Sequence, residues 1–350
     1  MSANPVIQAT EGCLLGCAVG DSIGLPYEGL SMRRARRFAQ LPLRHRFVFG
    51  KGMVSDDTDH SVFVAQALIR SGTEPGAFRR ALAWRLRLWL LCLPAGIGWA
   101  TLRSILRMWL GLRESGVWSA GNGPAMRSGI IGAAVPSDPQ RRRALVEAST
   151  RLTHTDPKAL AGALAVAEVT ARLASGLWST RPATAELAAL LRAIAPDPDW
   201  RASVDSIVAA CDAPDPIAAA HAAFGGPAGV SGYVLHSVPF ALVAWHHHFG
   251  DFRATIESVV RAGGDVDTVG AIAGAMAGAC GGPSAIPPDW IDGIVDRPHG
   301  AAYVRKLARR IHDDTVSVAT GFSPLLLPRG IVFTTLVLAH GFRRLAPPYR

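Results

Sequence analysis

Several things are missing from this chain, and each absence narrows what it can be. The five cysteines, Cys13, Cys17, Cys92, Cys211 and Cys280, are odd in number and include no C-x-x-C pair. They read as small buried hydrophobes, and a reduced, cytoplasmic compartment is expected. No basic-then-apolar leader opens the chain, since Met1 to Thr10 is mixed in character. The apolar stretch Gly330–Ala339 is too short to span a bilayer. No period-2 alternation bounded by hairpin turns is found, which leaves no strand to predict. Internal repeats and low-complexity segments are absent too.

What remains is a globular chain. Its 350 residues are 49% hydrophobic and 18% charged, enough to bury a large core and far from disordered composition. Apolar residues recur at helical spacing from Val6 onward, and Gly, Pro or Asp-Pro marks nearly every break. The expected fold class is all-α: a compact multi-helix domain over residues 1–316, then an apolar C-terminal extension over 317–350. Helices are predicted at Val6–Gly20, Thr58–Arg70 and Thr268–Cys280, among others. The extension is expected to dock as a helix on the core or to support self-association. The net charge of +9 is concentrated in runs at Arg33–Arg37, Arg141–Arg143 and Arg305–Arg310. Such runs are usually solvated helix faces, and without an interleaved aromatic motif nucleic acid is not expected as a partner.

Chemistry is concentrated in two short stretches. Ser55-Asp56-Asp57-Thr58-Asp59-His60 places three carboxylates, two hydroxyls and an imidazole directly ahead of an apolar helical run. One N-cap needs one such residue, so mutually repelling acids at this density call for another reason. Oxygen-only ligands suit hard cations such as Mg²⁺, Mn²⁺ or Ca²⁺. Some two hundred residues later, Asp265-Val266-Asp267-Thr268 repeats the pattern before a second helix. Two acid-and-hydroxyl clusters at helix N-termini can converge on one dinuclear site. Gly12, Gly16 and Gly20 recur every fourth residue, as do Gly270, Gly274 and Gly278. Each glycine costs a helix about 1 kcal/mol relative to Ala, so stripes of them imply close helix packing.

Other stretches are weaker signals. Glu28 ends a Gly- and Pro-containing loop and by itself reads as a surface carboxylate. Gly121-Asn122-Gly123-Pro124 is a Gly-rich loop whose N–H groups can cradle phosphate, though it lacks the Lys-Ser/Thr ending of a P-loop. His154 adjoins an N-cap at Asp156. His246-His247-His248 points three ways from a helix and reads as a helix end, favourable beside the negative dipole.

Taken in order, G-C-A-V-G-D-S-I-G-L-P-Y-E (16–28), S-D-D-T-D (55–59), G-N-G-P-A-M-R (121–127), T-H-T-D-P (153–157), G-Y-V (232–234) and G-G-D-V-D-T (263–268) resemble the ADP-ribosylglycohydrolase family. That family includes the hydrolase that reactivates dinitrogenase reductase and the ADP-ribosyl-acceptor hydrolases. The resemblance spans about Ile7 to Pro283 and implies an all-α fold around two Mg²⁺ or Mn²⁺ ions. Carried over by motif, the metal ligands are Ser55, Asp56, Asp57, Asp265, Asp267 and Thr268, with Ser55 standing where Thr is commoner. Glu28 and Asp57 fall at catalytic positions, which replaces the surface reading of Glu28. Gly121, Asn122, Gly123, Met126, Arg127, His154 and Tyr233 fall around the ADP-ribose. The implied reaction is metal-assisted hydrolysis of an ADP-ribosyl bond, with ADP-ribosyl-arginine on protein as the expected substrate. O-linked (serine) or nucleic-acid ADP-ribose is the alternative, as is a non-turning-over ADP-ribose-binding or toxin-neutralising protein. Asp59, beside the clusters but not a ligand, is expected with Glu28 to offer negative charge to a cationic leaving group. Asp59 and His154 are the next candidates for the base.

Overall fold

The computed structural model describes residues 4–47 and 49–345; the last residues of the expected extension, Ala346–Arg350, lie outside the described residues. Among the described residues there are helices and turns and no strand. In order the helices are α1 (Pro5–Gly24), α2 (Met32–Phe38), α3 (Asp56–Ser71), α4 (Pro75–Leu90), α5 (Trp99–Trp109), α6 (Gly123–Met126), α7 (Gly129–Ala134), α8 (Pro139–Arg151) and α9 (Pro157–Ala174). They continue as α10 (Thr184–Arg192), α11 (Pro198–Cys211), α12 (Pro216–Phe224), α13 (Val234–His247), α14 (Phe252–Ala262), α15 (Val266–Gly281), α16 (Pro288–Asp292), α17 (Ala301–Arg310) and α18 (Leu326–Leu345). The all-α expectation holds. None of these helices is long and apolar enough to cross a membrane, and all five cysteines are free thiols.

The glycine stripes organise the centre. α1 and α15 run antiparallel, with Gly12 against Gly278, Gly16 against Gly274 and Gly20 against Gly270. A Cβ built on any of these six would overlap the backbone of the facing helix, so only glycine permits the approach. α1 runs on through Gly24, beyond the expected end at Gly20, because its glycines keep contact with α15 as far as Val266 and Asp267. That register delivers Asp21 and the loop to Glu28 beside the N-terminus of α15. α3 begins at Asp56, two residues before the expected start, with Ser55 as its N-cap. All three acids of the first cluster therefore lie in one helical turn.

Isolated backbone bridges, and not a sheet, tie the loops around this centre: Leu30 and Val230 both to Gly264, Gly121 to Tyr233, and Val117 to His154. Four tryptophans, Trp89, Trp200, Trp245 and Trp290, are fully buried. α18 docks on its own chain. Phe333 packs with Leu25 and Met53, Gly330 lies against the Cys92 carbonyl, and His340 Nε2 approaches Pro26 O at 3.1 Å. These contacts cover one side of the helix, while Ile331, Leu338 and Phe342 stay exposed.

Candidate active site

The two acidic helix starts meet. Ser55 Oγ accepts the Asp57 N–H at 3.3 Å and donates to Asp57 Oδ2 at 3.1 Å. Thr268 Oγ1, from the first turn of α15, donates to the same Oδ2 at 3.2 Å. Asn122 Nδ2 donates to Asp265 Oδ2 at 2.7 Å, joining the Gly-rich loop to the second cluster. Oxygens of Glu28, Asp265 and Asp267 lie within 4.8 Å of one another. Asp57 Oδ1 and Asp267 Oδ1 are buried and accept no hydrogen bond among the described residues. A buried carboxylate oxygen without a donor is costly unless a cation takes it.

Electrostatics say the same. Burial raises the Asp56, Asp57 and Asp267 pKa values well above the usual carboxylate range, and neighbouring carboxylates push them further. Burial also raises Asp265, against its bond from Asn122. Glu28 is exposed at the rim, yet desolvation and the Asp265 charge raise it, with Arg344 opposing. Such a set of oxygen-only donors fits hard divalent cations. The compact trio includes Glu28, which the motif resemblance had placed in catalysis alone.

One residue that matters was not singled out in the sequence. Asp21 is fully buried under the α3 turn, where it accepts the Ser55 N–H at 2.9 Å and the Thr58 N–H at 3.2 Å, and Thr58 Oγ1 at 2.5 Å. Burial pushes it up to about 7 despite those donors. Its signal in the sequence is an acid at the end of the Gly-striped, largely apolar run that starts at Gly12.

A cleft of about 330 Å³ is lined by Glu28, Asp56, Asp265, Asp267 and Thr268 and also by Gly121, Asn122, Gly123, Met126 and His154. Larger hollows beside Tyr303 and beside Trp290 gather no comparable set of acids and hydroxyls. Ser55 and Asp57 are buried just beneath the lining. His154 is held neutral: burial and the Arg127 charge push it down to about 3. That low value removes it as a base titrating near neutrality. Tyr233 is half-exposed beside the lining residues, edge-on to His236.

Three expectations need correction. Arg127 does not reach the cleft. It is fully buried and donates to Ser149 Oγ, Ser149 O and Thr153 Oγ1 at 2.8–3.0 Å, so it braces the floor under His154. The Gly121 and Asn122 N–H groups are already used, on Ser119 Oγ and Gly232 O, and neither is left for a phosphate. Asp59 offers no free charge either. Its oxygens take His299 Nδ1 at 2.7 Å, Trp89 Nε1 at 3.0 Å and Arg329 Nη1 at 3.2 Å. Burial would raise Asp59, but Arg329 and His299 outweigh it and hold it down at about 2.

Comparison with known proteins follows the same lines. The model of the family described as ADP-ribosylglycohydrolase matches residues 3–319. The chain is 29% identical over 327 residues to an uncharacterized protein of Archaeoglobus fulgidus, covering 87% of this chain and 95% of that one. It is 26% identical over 304 residues to the ADP-ribosyl-[dinitrogen reductase] glycohydrolase of Rhodospirillum rubrum, covering 83% and 92%. A shorter match, 34% over 84 residues, is to the ADP-ribosylarginine hydrolase Tri1 of Pseudomonas putida, covering 24% and 21%. Among solved structures, an ADP-ribosylglycohydrolase-related protein complex superposes with a TM-score of 0.67 at 26% identity, over 89% of this chain and 99% of that one.

Proposed function

Because the chain belongs to the ADP-ribosylglycohydrolase family and is a hydrolase of the ADP-ribose glycosidic bond, we propose that this cleft releases ADP-ribose from arginine side chains of modified proteins. The observation that carries the reading is the Glu28, Asp265 and Asp267 oxygen cluster, which opens onto the same cleft as Asn122 and His154. Two divalent ions, Mg²⁺ or Mn²⁺, would be held by Ser55, Asp56 and Asp57 from α3 and by Asp265, Asp267 and Thr268 from α15. When bound, they supply neutralising charge and lower the pKa of water near the anomeric carbon.

The chain's own residues do the rest. Asp57 is oriented by two hydroxyls, so its unpaired Oδ1 keeps one direction. Asn122 does the same for Asp265. Glu28 at the rim has a raised pKa, which suits a group that accepts a proton from water and returns it. Water oxygen attacks C1″, the C1″–N bond breaks with its electron pair going to nitrogen, and the proton lost by water ends on the departing guanidine. Neutral His154 is placed to hydrogen-bond the ribose or phosphates without adding charge. Free thiols throughout agree with a reducing, cytoplasmic setting.

The acceptor is the finer point. A guanidinium leaving group binds beside negative charge, and with Asp59 neutralised by Arg329 only Glu28 and the cluster itself supply it. The similarity to an ADP-ribosylarginine hydrolase covers a quarter of the chain. An O-linked acceptor is the second reading, because a raised Glu28 pKa also suits a proton donor to a leaving alkoxide. The test is release of ADP-ribose from matched substrates modified on Arg and on Ser. Release from Arg should be faster by about tenfold, about 1.4 kcal/mol in the barrier, and Glu28→Gln should lower turnover by about 10² while ADP-ribose still binds. Faster release from Ser reverses the acceptor, and near-parental turnover in Glu28→Gln removes Glu28 from the reaction.

A further inference from the structure

The hairpin of α4 and α5 carries a second polar hollow that the reaction does not use. Arg79, Arg80 and Arg87 of α4 and Arg113, just after α5, line about 180 Å³ together with Trp84. No carboxylate belongs to that lining, and among the described residues none of the four arginines is in an ion pair. Glu74 acts on Arg80, but its two oxygens already accept the Gly76 and Ala77 N–H groups. Two of the guanidinium groups are fixed by carbonyls. Arg79 Nη2 donates to Arg113 O at 3.1 Å, and Arg87 donates to Met108 O through Nε at 3.1 Å and Nη2 at 2.6 Å. A carbonyl orients the fork but cancels none of its charge, so four positive charges share one concavity.

Aromatic surface stands beside them. Trp84 is 55% exposed and Trp109 43% exposed. The two rings meet edge-on at 6.4 Å, and the Arg87 guanidinium lies 4.9 Å from the Trp84 ring. Fixed cationic forks next to accessible indole faces match a phosphate backbone bearing flat bases, the combination by which single strands are held without sequence readout. A flat bilayer would press on the exposed Leu91 and Leu110 of the same hairpin but could not enter the hollow where the forks converge.

We infer that the Arg79–Arg80–Arg87–Arg113 hollow, with Trp84 and Trp109, is a binding site for single-stranded nucleic acid, separate from the catalytic cleft. α5 links the two, since Trp99 lines the cleft and Met108 the hollow, about 14 Å apart along the helix at 1.5 Å per residue. This inference runs against the sequence expectation that nucleic acid is not a partner. None of the three basic runs supplies these arginines; the fold assembles them from α4 and the turn after α5. The inference is independent of which bond the cleft cuts.

The test is fluorescence anisotropy of a labelled oligothymidylate of about 12 nucleotides with the full chain, across a salt series. Binding should weaken with a log–log slope near −3, about −0.7 for each of four arginine–phosphate contacts. Arg80→Ala combined with Arg113→Ala should cost about tenfold or more in affinity and make the slope shallower by about 1.4. Trp84→Ala should weaken binding by about tenfold with the slope unchanged, because stacking releases no counterions. All three side chains are exposed, so melting temperature and ADP-ribose release should match the parent. Absence of oligonucleotide binding at low salt overturns the inference. So does parental affinity in the double variant, or a loss on Arg80→Ala and Arg113→Ala that appears only with phosphatidylglycerol vesicles.

Discussion

Two acidic regions share the turn at the start of α3, and they solve the same electrostatic problem in opposite ways. Asp59 faces inward to a network the chain completes itself. Arg329 of α18 bonds Asp59 at 3.2 Å and Asp296 at 2.7 and 3.1 Å, and it also donates to Val54 O, while His299 and Trp89 take the remaining Asp59 capacity. Asp57, two residues earlier, has only the Ser55 and Thr268 hydroxyls as donors, and one of its oxygens has none. Around it stand Asp21, Asp56, Asp265 and Asp267, with no cation among its partners in the described residues. A buried carboxylate supplied with arginine is structure; one left without it beneath the cleft is the candidate for a cation. The acid run in the sequence therefore contains two different things.

Breaking the compensated region should cost most. Arg329→Met leaves Asp59 and Asp296 buried without their arginine, Asp59 keeping only His299 and Trp89 and Asp296 only the Val54 N–H, and loss of one partner from a buried pair costs about 3–5 kcal/mol. Urea unfolding should show that loss, and Arg329→Lys should recover part of it. An unchanged midpoint in Arg329→Met would mean the network is not neutralised in the way described.

The same kind of experiment on the other side should change sign. Asp267→Asn removes one of several repelling charges, so without metal its stability should equal or exceed the parent's. With Mn²⁺ at a hundredfold over Kd, the parent should gain about 2.7 kcal/mol and Asp267→Asn much less. Calorimetric melting with and without Mn²⁺ reads both quantities. Equal Mn²⁺ stabilisation of the two proteins would remove Asp267 from the ligand set.

Acidity separates the regions with smaller effects. Folded-state pKa values raised above the unfolded ones, as for Asp21 at about 7, mean that metal-free stability is full below about pH 4 and declines as pH rises toward 7. The depressed Asp59, at about 2, contributes stability above about pH 4 that is lost as pH falls toward 2. Metal-free melting temperature should thus rise on going from about pH 7 to about pH 5, then fall below about pH 4. Saturating Mn²⁺ should abolish the first limb, since protons and metal compete for the same oxygens. A metal-free protein whose melting temperature falls steadily from pH 7 would contradict the crowding of the cluster.

Much of the site was legible because its signals are local. Ser55, Asp56 and Asp57, and Asp265, Asp267 and Thr268, each crowd acids and hydroxyls ahead of an apolar helix, a pattern that caps alone do not explain. The glycine stripes of α1 and α15 announced two helices in backbone contact, and that contact sets α15 beside Asp21 of α1, which holds the α3 start. The sequence by itself determined the all-α class, the two acid-rich helix starts and the close approach of α1 to α15, because spacing along one helix sets which residues share a face. Tertiary structure alone decided which carboxylates stay uncompensated. Arg329 lies 270 residues from Asp59, beyond any local pattern, and it turns one acid of the run into a brace. Distance in the chain likewise hid the burial of Arg127 under His154, the loss of the Asn122 N–H to Gly232, and the meeting of Arg79, Arg80, Arg87 and Arg113. Charge acts through space and not along the chain, so its sign is written in the sequence but its balance is settled only by what the fold places opposite.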